Sequence, residues 1–259
     1  IAPIDIDHRE FLGDTIAEIA VEKAGIIKPG IPVVVGPLEP AALRVVRSIA
    51  AERDAPLVAS PTDFRVDDQR GQGVCYRGPG RDLDGLELRL RGGHQAWNAG
   101  VAVALVEYLP AHLRPDDAAC RSGLATVAHA GRIERLTDDV WLDCAHNPVG
   151  ADQLAVFLRE LPDDVRPRTL LLGMSASKDA RGVARALAPL VDRVFTTHCS
   201  HPRAMSAGEL ATHLVDLSCP VLPAGPIEDA FPMVRQLDGA VLVAGSVFLV
   251  GAVRDLLDA

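Results

Sequence analysis

One short segment, DCAHNPVGA (143–151), contains side chains that can bind a nucleotide and relay a proton. Asp143 can accept hydrogen bonds from hydroxyl groups such as those of a ribose, and His146 can orient a ligand or relay a proton. Asn147 precedes a proline, which is the residue order at the start of many helices. An isolated Asn-Pro is commonly no more than a helix start, but an aspartate and a histidine so close together favour a binding role.

Arginines and small residues elsewhere suit phosphate and carboxylate groups. Arg132, in GRIER (131–135), can donate two parallel hydrogen bonds to a phosphate, although a surface ion pair would also explain it. Arg203 can meet a substrate carboxylate, and the AGS that ends at Ser246 offers backbone N–H groups to an anion. These two sites, and GMSASKD (173–179), are also compatible with ordinary turns between a strand and a helix.

Lysine is rare in this chain, with three residues against 23 arginines, and none of the three fits a Walker A loop. That loop needs a lysine followed by serine or threonine, whereas here Ala, Pro and Asp follow. Lys23 falls on the apolar stripe of Ile16, Ile19 and Ala20 in a predicted helix over 14–25. It is either a lysine that extends to solvent or a partly buried amine that can be modified, and periodicity does not choose between these.

The composition limits the class of protein. With 26 basic and 35 acidic residues the net charge is −9, which disfavours a general nucleic-acid-binding surface. No apolar run reaches the roughly 18–20 residues of a membrane span, and no signal peptide is evident. Five scattered cysteines favour a reducing cytosol over a disulfide framework or a zinc site. We therefore expect a cytoplasmic globular protein with neither nucleic acid nor membrane as a partner.

After Gly131 the chain alternates apolar strands with helices in a regular order. Repeated βα units predict a parallel, doubly wound sheet, in which ligands bind at the carboxyl ends of the strands. We place the domain boundary near residue 130. The predicted strands are 140–144, 169–174, 193–198, 220–224 and 240–245, and the predicted helices are 149–161, 179–190, 206–215, 226–236 and 247–257.

Before that boundary the pattern is mixed. Residues 61–93 predict β-hairpins and loops, with the alternating LELRLR (86–91) as a half-exposed strand. Thr15 and Glu18 have the spacing of a capping box. His8 ends the first predicted strand, where a metal or phosphate ligand can be placed, although a lone histidine is more often structural. The other predicted elements are strands 1–7, 31–36 and 56–60 and helices 14–25, 39–53 and 94–109, with a short helix within 110–131.

Together these motifs resemble those of the folylpolyglutamate synthase/dihydrofolate synthase family, the folate branch of the Mur ligases. The most specific are the EKAGIIKPG that ends at Gly30 and DCAHNPVGA. The matching stretches follow the family's order through the whole chain: 8–30, 94–100, 131–134, 143–151, 173–179, 201–204 and 245–251. The resemblance also implies that the family's N-terminal P-loop segment is missing here, so the chain alone is expected to be inactive.

The resemblance implies an α/β protein with two domains. Residues 1–130 would be the later part of a Mur-type P-loop ATPase central domain, and 131–259 a Rossmann-like C-terminal ligase domain with a mostly parallel sheet. The implied activity is ATP-dependent ligation of L-glutamate to a folate or dihydropteroate carboxylate through an acyl phosphate. ATP and Mg²⁺ are the implied cofactors, ATP and glutamate would bind between the domains, and a monomer is expected.

Two residues would serve the metal. By resemblance, His8 would ligate Mg²⁺, and Lys23 would be carbamylated on its amine. That modification would turn a cation on an apolar face into a carboxylate-like group near the metal, with a catalytic role.

The remaining roles concern ATP and glutamate. By resemblance, Asn98, Arg132 and Asp143 would contact ATP. His146 would be catalytic and lie near glutamate and the acyl phosphate, and Ser246 would bind glutamate.

Two other functions remain open from the sequence. One is a different Mur-type ligase, which would join an amino acid to a nucleotide-linked sugar. The other is a noncatalytic nucleotide-binding module, if the chain is genuinely short. Whether the first glutamate, later glutamates or both are added is left open as well.

Overall fold

The computed structural model describes residues 1–4, 13, 15–69, 73–162 and 165–258. The chain divides into two compact units, one of Ile1–Arg89 with Gly93–Ala128 and the other of Leu90–Gly92 with His129–Ala259. His8 lies outside the described residues. Among the helices that are described, none is long and apolar enough to cross a membrane.

The first unit contains two small sheets. Its strands are β1 (Val33–Val35), β2 (Leu57–Ala59), β3 (Arg65–Gln69), β4 (Gly73–Arg77) and β5 (Asp82–Leu86). Its helices are α1 (Ile16–Ala24), α2 (Pro40–Glu52), α3 (His94–Glu107) and α4 (Asp117–Thr126), with a 3₁₀ turn at Ala111–Leu113. β1 and β2 pair in parallel, whereas β3, β4 and β5 form an antiparallel sheet in that order.

Helix α1 begins with the capping box that the sequence predicts. The Thr15 hydroxyl accepts a hydrogen bond from the Glu18 N–H at 3.2 Å, and the Glu18 carboxylate accepts one from the Thr15 N–H at 2.9 Å. The helix buries Ile19, Ala20 and Ala24, whereas Lys23 is exposed. This exposure fits the first of the two interpretations that periodicity left open, a lysine that extends to solvent. Its position in the last turn suits a cation, because the helix dipole is negative there.

One predicted strand of this unit, 86–91, and the described part of another, 1–7, are not found. β5 ends at Leu86, which pairs with Val74 near the start of β4, so LELRLR (86–91) does not continue as a strand. The chain leaves the sheet instead, because the Arg89 N–H donates a hydrogen bond of 3.1 Å to a carbonyl of α4. Residues 1–4 form no strand either, and 5–7 lie outside the described residues.

The second unit is built around one six-stranded sheet. Its strands are β6 (Glu134–Arg135), β7 (Val140–Asp143), β8 (Arg168–Leu172), β9 (Arg193–His198), β10 (Val221–Pro226) and β11 (Ala240–Ala244). Its helices are α5 (Pro148–Glu160), α6 (Ala180–Leu187), α7 (Ala207–Thr212), α8 (Ile227–Val234) and α9 (Val247–Asp258), with a 3₁₀ turn at Ala188–Leu190.

The strand order is β10-β9-β8-β11-β7-β6, and all neighbours are parallel except β6 and β7. The predicted α/β fold with a mostly parallel sheet is confirmed. Because successive side chains of a strand point to opposite faces, the apolar strands feed two separate cores. One core packs against α5, α6 and α7, and the other against α8 and α9.

This order creates a crevice at the carboxyl ends of three neighbouring strands. The helices that follow β7 and β8 pack on one face of the sheet, and the helix that follows β11, which lies between them, packs on the other. The connections therefore diverge at β11, which is where open α/β sheets bind ligands. Asp143, Gly173 and Gly245 each stand at the end of one of these strands.

Shortening a side chain in the middle of this sheet should lower the free energy of unfolding far more than shortening one in its edge strand. Leu171 in β8 is fully buried, so Leu171→Ala should lower the free energy of unfolding by about 2–5 kcal/mol, through lost burial and a cavity. Leu222 in the edge strand β10 is 47% exposed, and Leu222→Ala should cost less than about 1 kcal/mol. Urea unfolding measures both, and equal losses would contradict this arrangement of the strands.

Candidate functional site

A tight turn precedes β6 and carries Arg132 at its second position. Two of its residues have left-handed backbone conformations, Gly131 with φ of 67° and Ile133 with φ of 46°. The second is unusual, since a β-branched residue rarely adopts positive φ. The Gly131 N–H donates a 2.9 Å hydrogen bond to the Glu134 carboxylate, which closes the turn.

The end of β7 holds this turn from the other side. The two carboxylate oxygens of Asp143 accept backbone hydrogen bonds of 2.8 Å, one from Ile133 and one from Ala145. The Cys144 N–H donates a third bond, also of 2.8 Å, to the carbonyl of Gly131. Two of these three hydrogen bonds therefore join the turn to the strand end.

The carboxyl group of Asp143 is 7% exposed. Burial raises its pKa above the usual range, while the two N–H donors and the nearby Arg132 oppose that shift. Each oxygen already accepts one backbone N–H, so Asp143 acts first as the organiser of the turn. A carboxylate has about four lone-pair sites, so Asp143 can also accept a hydrogen bond from a ligand hydroxyl.

The turn approaches the strand end so closely that only glycine fits at position 131. A Cβ on Gly131 would lie 2.4 Å from the Cys144 sulfur and 3.0 Å from Cγ1 of Val250. Burial raises the pKa of the Cys144 thiol to about 11, so it stays protonated near neutral pH. Cys144 is thus a packing residue rather than a nucleophile.

Arg132 is exposed, while its neighbours Gly131 and Ile133 are both held by hydrogen bonds. The arrangement places a guanidinium group in solvent on an anchored backbone. Such a group can bind a phosphate or a carboxylate with little loss of backbone freedom.

His146 and Asn147 follow the strand end. Nδ1 of His146 lies 2.8 Å from the carbonyl oxygen of Cys144. Since a carbonyl oxygen only accepts, Nδ1 carries the proton, and in the neutral ring the lone pair is on Nε2. The Asn147 side chain accepts a 2.8 Å bond from the Gly150 N–H, so its predicted role as the cap of α5 is confirmed.

The ends of β8 and β11 touch beside this cluster. The Gly173 N–H donates a 3.1 Å hydrogen bond to the carbonyl oxygen of Ala244. A Cβ on Gly245 would lie 2.5 Å from the carbonyl oxygen of Gly173. Ser246 follows directly, and its hydroxyl accepts a 3.2 Å bond from the Phe248 N–H in the first turn of α9. Ser246 therefore serves as a helix cap, and its role toward glutamate stays a prediction.

A cavity of about 650 Å³ lies at the end of β9, one of the strand ends at which the sequence predicts ligand binding. Its lining includes His198, Cys199, His201 and Glu228. The ring of His201 stacks on Phe248, with 3.9 Å between centroids. The two histidines of THCSHPR are the sequence signal that marks it. Arg203, in the same loop, is exposed.

Two of the predicted residues of the first unit, Asn98 and Lys23, are among the described residues, whereas His8 is not. Asn98 is exposed on α3, and its side-chain N–H donates a 3.0 Å bond to the Gln95 side chain. Lys23 is exposed on α1. Within the described residues, no group of three or more His, Cys, Asp and Glu side chains could hold a metal ion. The structure thus brings together Arg132, Asp143 and His146, all in the second unit.

The sequence matches known proteins along its whole length. Residues 131–247 match the family described as Mur ligase, glutamate ligase domain. A dihydrofolate synthase/folylpolyglutamate synthase of Mycobacterium tuberculosis (strain ATCC 25618 / H37Rv) is 34% identical over 289 residues, which include 99% of this chain and 59% of the relative. The chain therefore spans about three fifths of that relative's length.

Solved structures agree with this match. A folylpolyglutamate synthase of Mycobacterium tuberculosis complexed with ADP and AMPPCP superposes with a TM-score of 0.86 and 32% identity, over 100% of this chain and 63% of the other. A bifunctional folylpolyglutamate synthase/dihydrofolate synthase of Yersinia pestis complexed with AMPPNP and Mn ion superposes with a TM-score of 0.81 and 29% identity. That match covers 100% of this chain and 61% of the other. Both of these solved structures are complexes with a nucleotide.

The close approach at Gly131 generates a paired prediction. Gly131→Ala should lower the free energy of unfolding by about 1–3 kcal/mol, because the new Cβ meets a left-handed backbone and the Cys144 sulfur. Gly251→Ala, in α9 with no heavy atom within 4 Å of the added Cβ, should raise it by about 0.5–1 kcal/mol. Urea unfolding checks both values. A neutral Gly131→Ala would mean that the turn is not packed as described.

Proposed function

The chain belongs to the folylpolyglutamate synthase/dihydrofolate synthase family of Mur ligases, and on that premise we propose that it forms part of an ATP-dependent glutamate ligase. The observation that carries the proposal is the anchored turn at Gly131–Glu134. It stands where the match to the glutamate ligase domain begins, and it exposes Arg132 beside the end of β7.

The proposed reaction has two steps. The carboxylate of a folate or dihydropteroate attacks the γ-phosphorus of ATP, the bond to the bridging oxygen breaks, and ADP leaves from the acyl phosphate. The amine of L-glutamate, having lost a proton, then attacks the acyl carbon, and inorganic phosphate leaves as the amide forms. Both steps depend on positioning and on neutralising negative charge.

The residues of the second unit suit these steps. Arg132 is proposed to contact ATP, because its guanidinium is exposed on a fixed backbone and can pair with a phosphate. His146 is proposed as the proton acceptor for the glutamate amine, because the hydrogen bond from Nδ1 to Cys144 puts the basic lone pair on Nε2. Asp143 holds Arg132 in place and can accept from a ribose hydroxyl.

Other roles are proposed on the resemblance alone. They are ATP contact by Asn98, glutamate binding by Ser246, and Mg²⁺ binding by His8 and a carbamylated Lys23. The described residues alone do not assemble a metal site, so no step is assigned to the metal here. We also propose a cytoplasmic location, in keeping with five unpaired cysteines, and a monomeric state.

The test is ADP release by the native gene product with ATP, Mg²⁺, L-glutamate and one of three acceptors. These are dihydropteroate, tetrahydrofolate and a muramyl nucleotide. Glutamate-dependent turnover with either of the first two is expected, and which of them reacts tells whether first or later glutamates are added. Turnover with the muramyl nucleotide alone, or nucleotide binding with no turnover, would overturn the proposal.

The same assay tests Arg132. Arg132→Ala should raise the KM for ATP by about ten- to a hundredfold, the loss of one charge-assisted hydrogen bond of about 1.5–3 kcal/mol. Arg135→Ala is the matched control, because Arg135 is also exposed and pairs with Asp138. The control should leave KM within about twofold. Similar KM values for ATP in the two variants would show that Arg132 does not contact the nucleotide.

A further inference from the structure

The turn that carries Arg132 has a second support, which comes from the last helix of the chain. Glu134 uses both carboxylate oxygens: Oε2 accepts the Gly131 N–H at 2.9 Å, and Oε1 pairs with the Arg254 guanidinium on α9. The two residues of that ion pair are 120 positions apart in the sequence. Their side chains are 24% and 37% exposed, so solvent screens the pair only in part.

Helix α9 meets the turn at a second point. Val250 supplies the Cγ1 atom that would lie 3.0 Å from a Cβ on Gly131. Val250 and Arg254 are four residues apart, so they lie on the same face of the helix. The helix therefore touches both ends of the turn, with an apolar contact at Gly131 and an ionic one at Glu134.

The turn needs such support because its backbone is strained. Ile133 holds a positive φ that β-branched residues avoid. Asp143 fixes the Ile133 N–H, but the Gly131 N–H depends on Glu134, and Glu134 is oriented by Arg254. Arg132 stands between these two fixed amides.

We propose that Arg254 is a positioning residue, which acts through Glu134 and the Gly131 amide to set the direction of the Arg132 side chain toward the nucleotide. The inference rests on the proposed function for the nucleotide. It assigns no contact with ATP to Arg254 itself. A purely structural role would predict lower stability without a selective effect on ATP.

A double-mutant cycle in the native gene product separates these roles. Arg254→Ala should raise the KM for ATP about three- to fivefold with kcat nearly unchanged, and Arg254→Lys should recover about half of that effect or more. In an Arg132→Ala background, Arg254→Ala should add nothing, because the side chain that it positions is gone. Arg181→Ala, on α6, is the control: it breaks an exposed ion pair with Asp216 and should leave KM unchanged.

The outcomes distinguish failure of the inference from failure of the proposed function. If Arg132→Ala does not change the KM for ATP, the nucleotide role of Arg132 is wrong. If Arg132→Ala does change it but Arg254→Ala has an equal effect with or without Arg132, the positioning role is wrong.

Hydrogen exchange gives a readout that needs no activity. Exchange of the Gly131 amide should be faster in Arg254→Ala than in the unmodified protein, and exchange of the Ala145 amide should be unchanged, because Asp143 still holds it. An unchanged exchange rate at Gly131 would overturn the proposal whatever the kinetics.

Discussion

The buried carboxylate of Asp143 fastens two stretches of chain to each other, the end of β7 and the turn before β6. One oxygen holds Ile133, the other holds Ala145, and the Cys144 N–H completes the connection to Gly131. Burying an acid is costly unless its oxygens are hydrogen-bonded, and here both are. The left-handed backbone of Ile133 and the fixed position of Arg132 beside it depend on this one arrangement.

The sheet supplies the place for that arrangement. Because β11 lies between β8 and β7 while its helix packs on the opposite face, three strand ends open into one crevice. Gly173 and Gly245 let two of those ends touch, and α9 starts there and reaches back to the turn through Arg254. The proposed chemistry thus uses loops that a rigid parallel sheet holds, which is common in α/β enzymes.

The second unit could be predicted well because its signals are local. Apolar runs mark the strands, Asn147 before a proline marks the start of α5, and βα repetition predicts a mostly parallel sheet. The place of β11 between β8 and β7 is not encoded in that repetition. Prediction from local sequence patterns was less informative where contacts between residues far apart in the sequence determine the structure. LELRLR alternates like a strand, but among the described residues it pairs with no strand past Leu86. Helical periodicity could not decide whether Lys23 extends to solvent, and in the structure it is exposed. The Glu134–Arg254 pair spans 120 positions and leaves no local pattern. Motif resemblance alone singled out Asn98, because a polar residue on an alanine-rich helix has no distinctive spacing.

The central claim is that the turn anchored by Asp143 is the nucleotide-binding element of the second unit. A crystal structure of the native gene product with ADP tests it most directly. The account predicts the Arg132 guanidinium within hydrogen-bond distance of the nucleotide, with Asp143 still accepting the N–H groups of Ile133 and Ala145. A nucleotide seated instead in the cavity beside His198 and His201, with Arg132 in solvent, would contradict it.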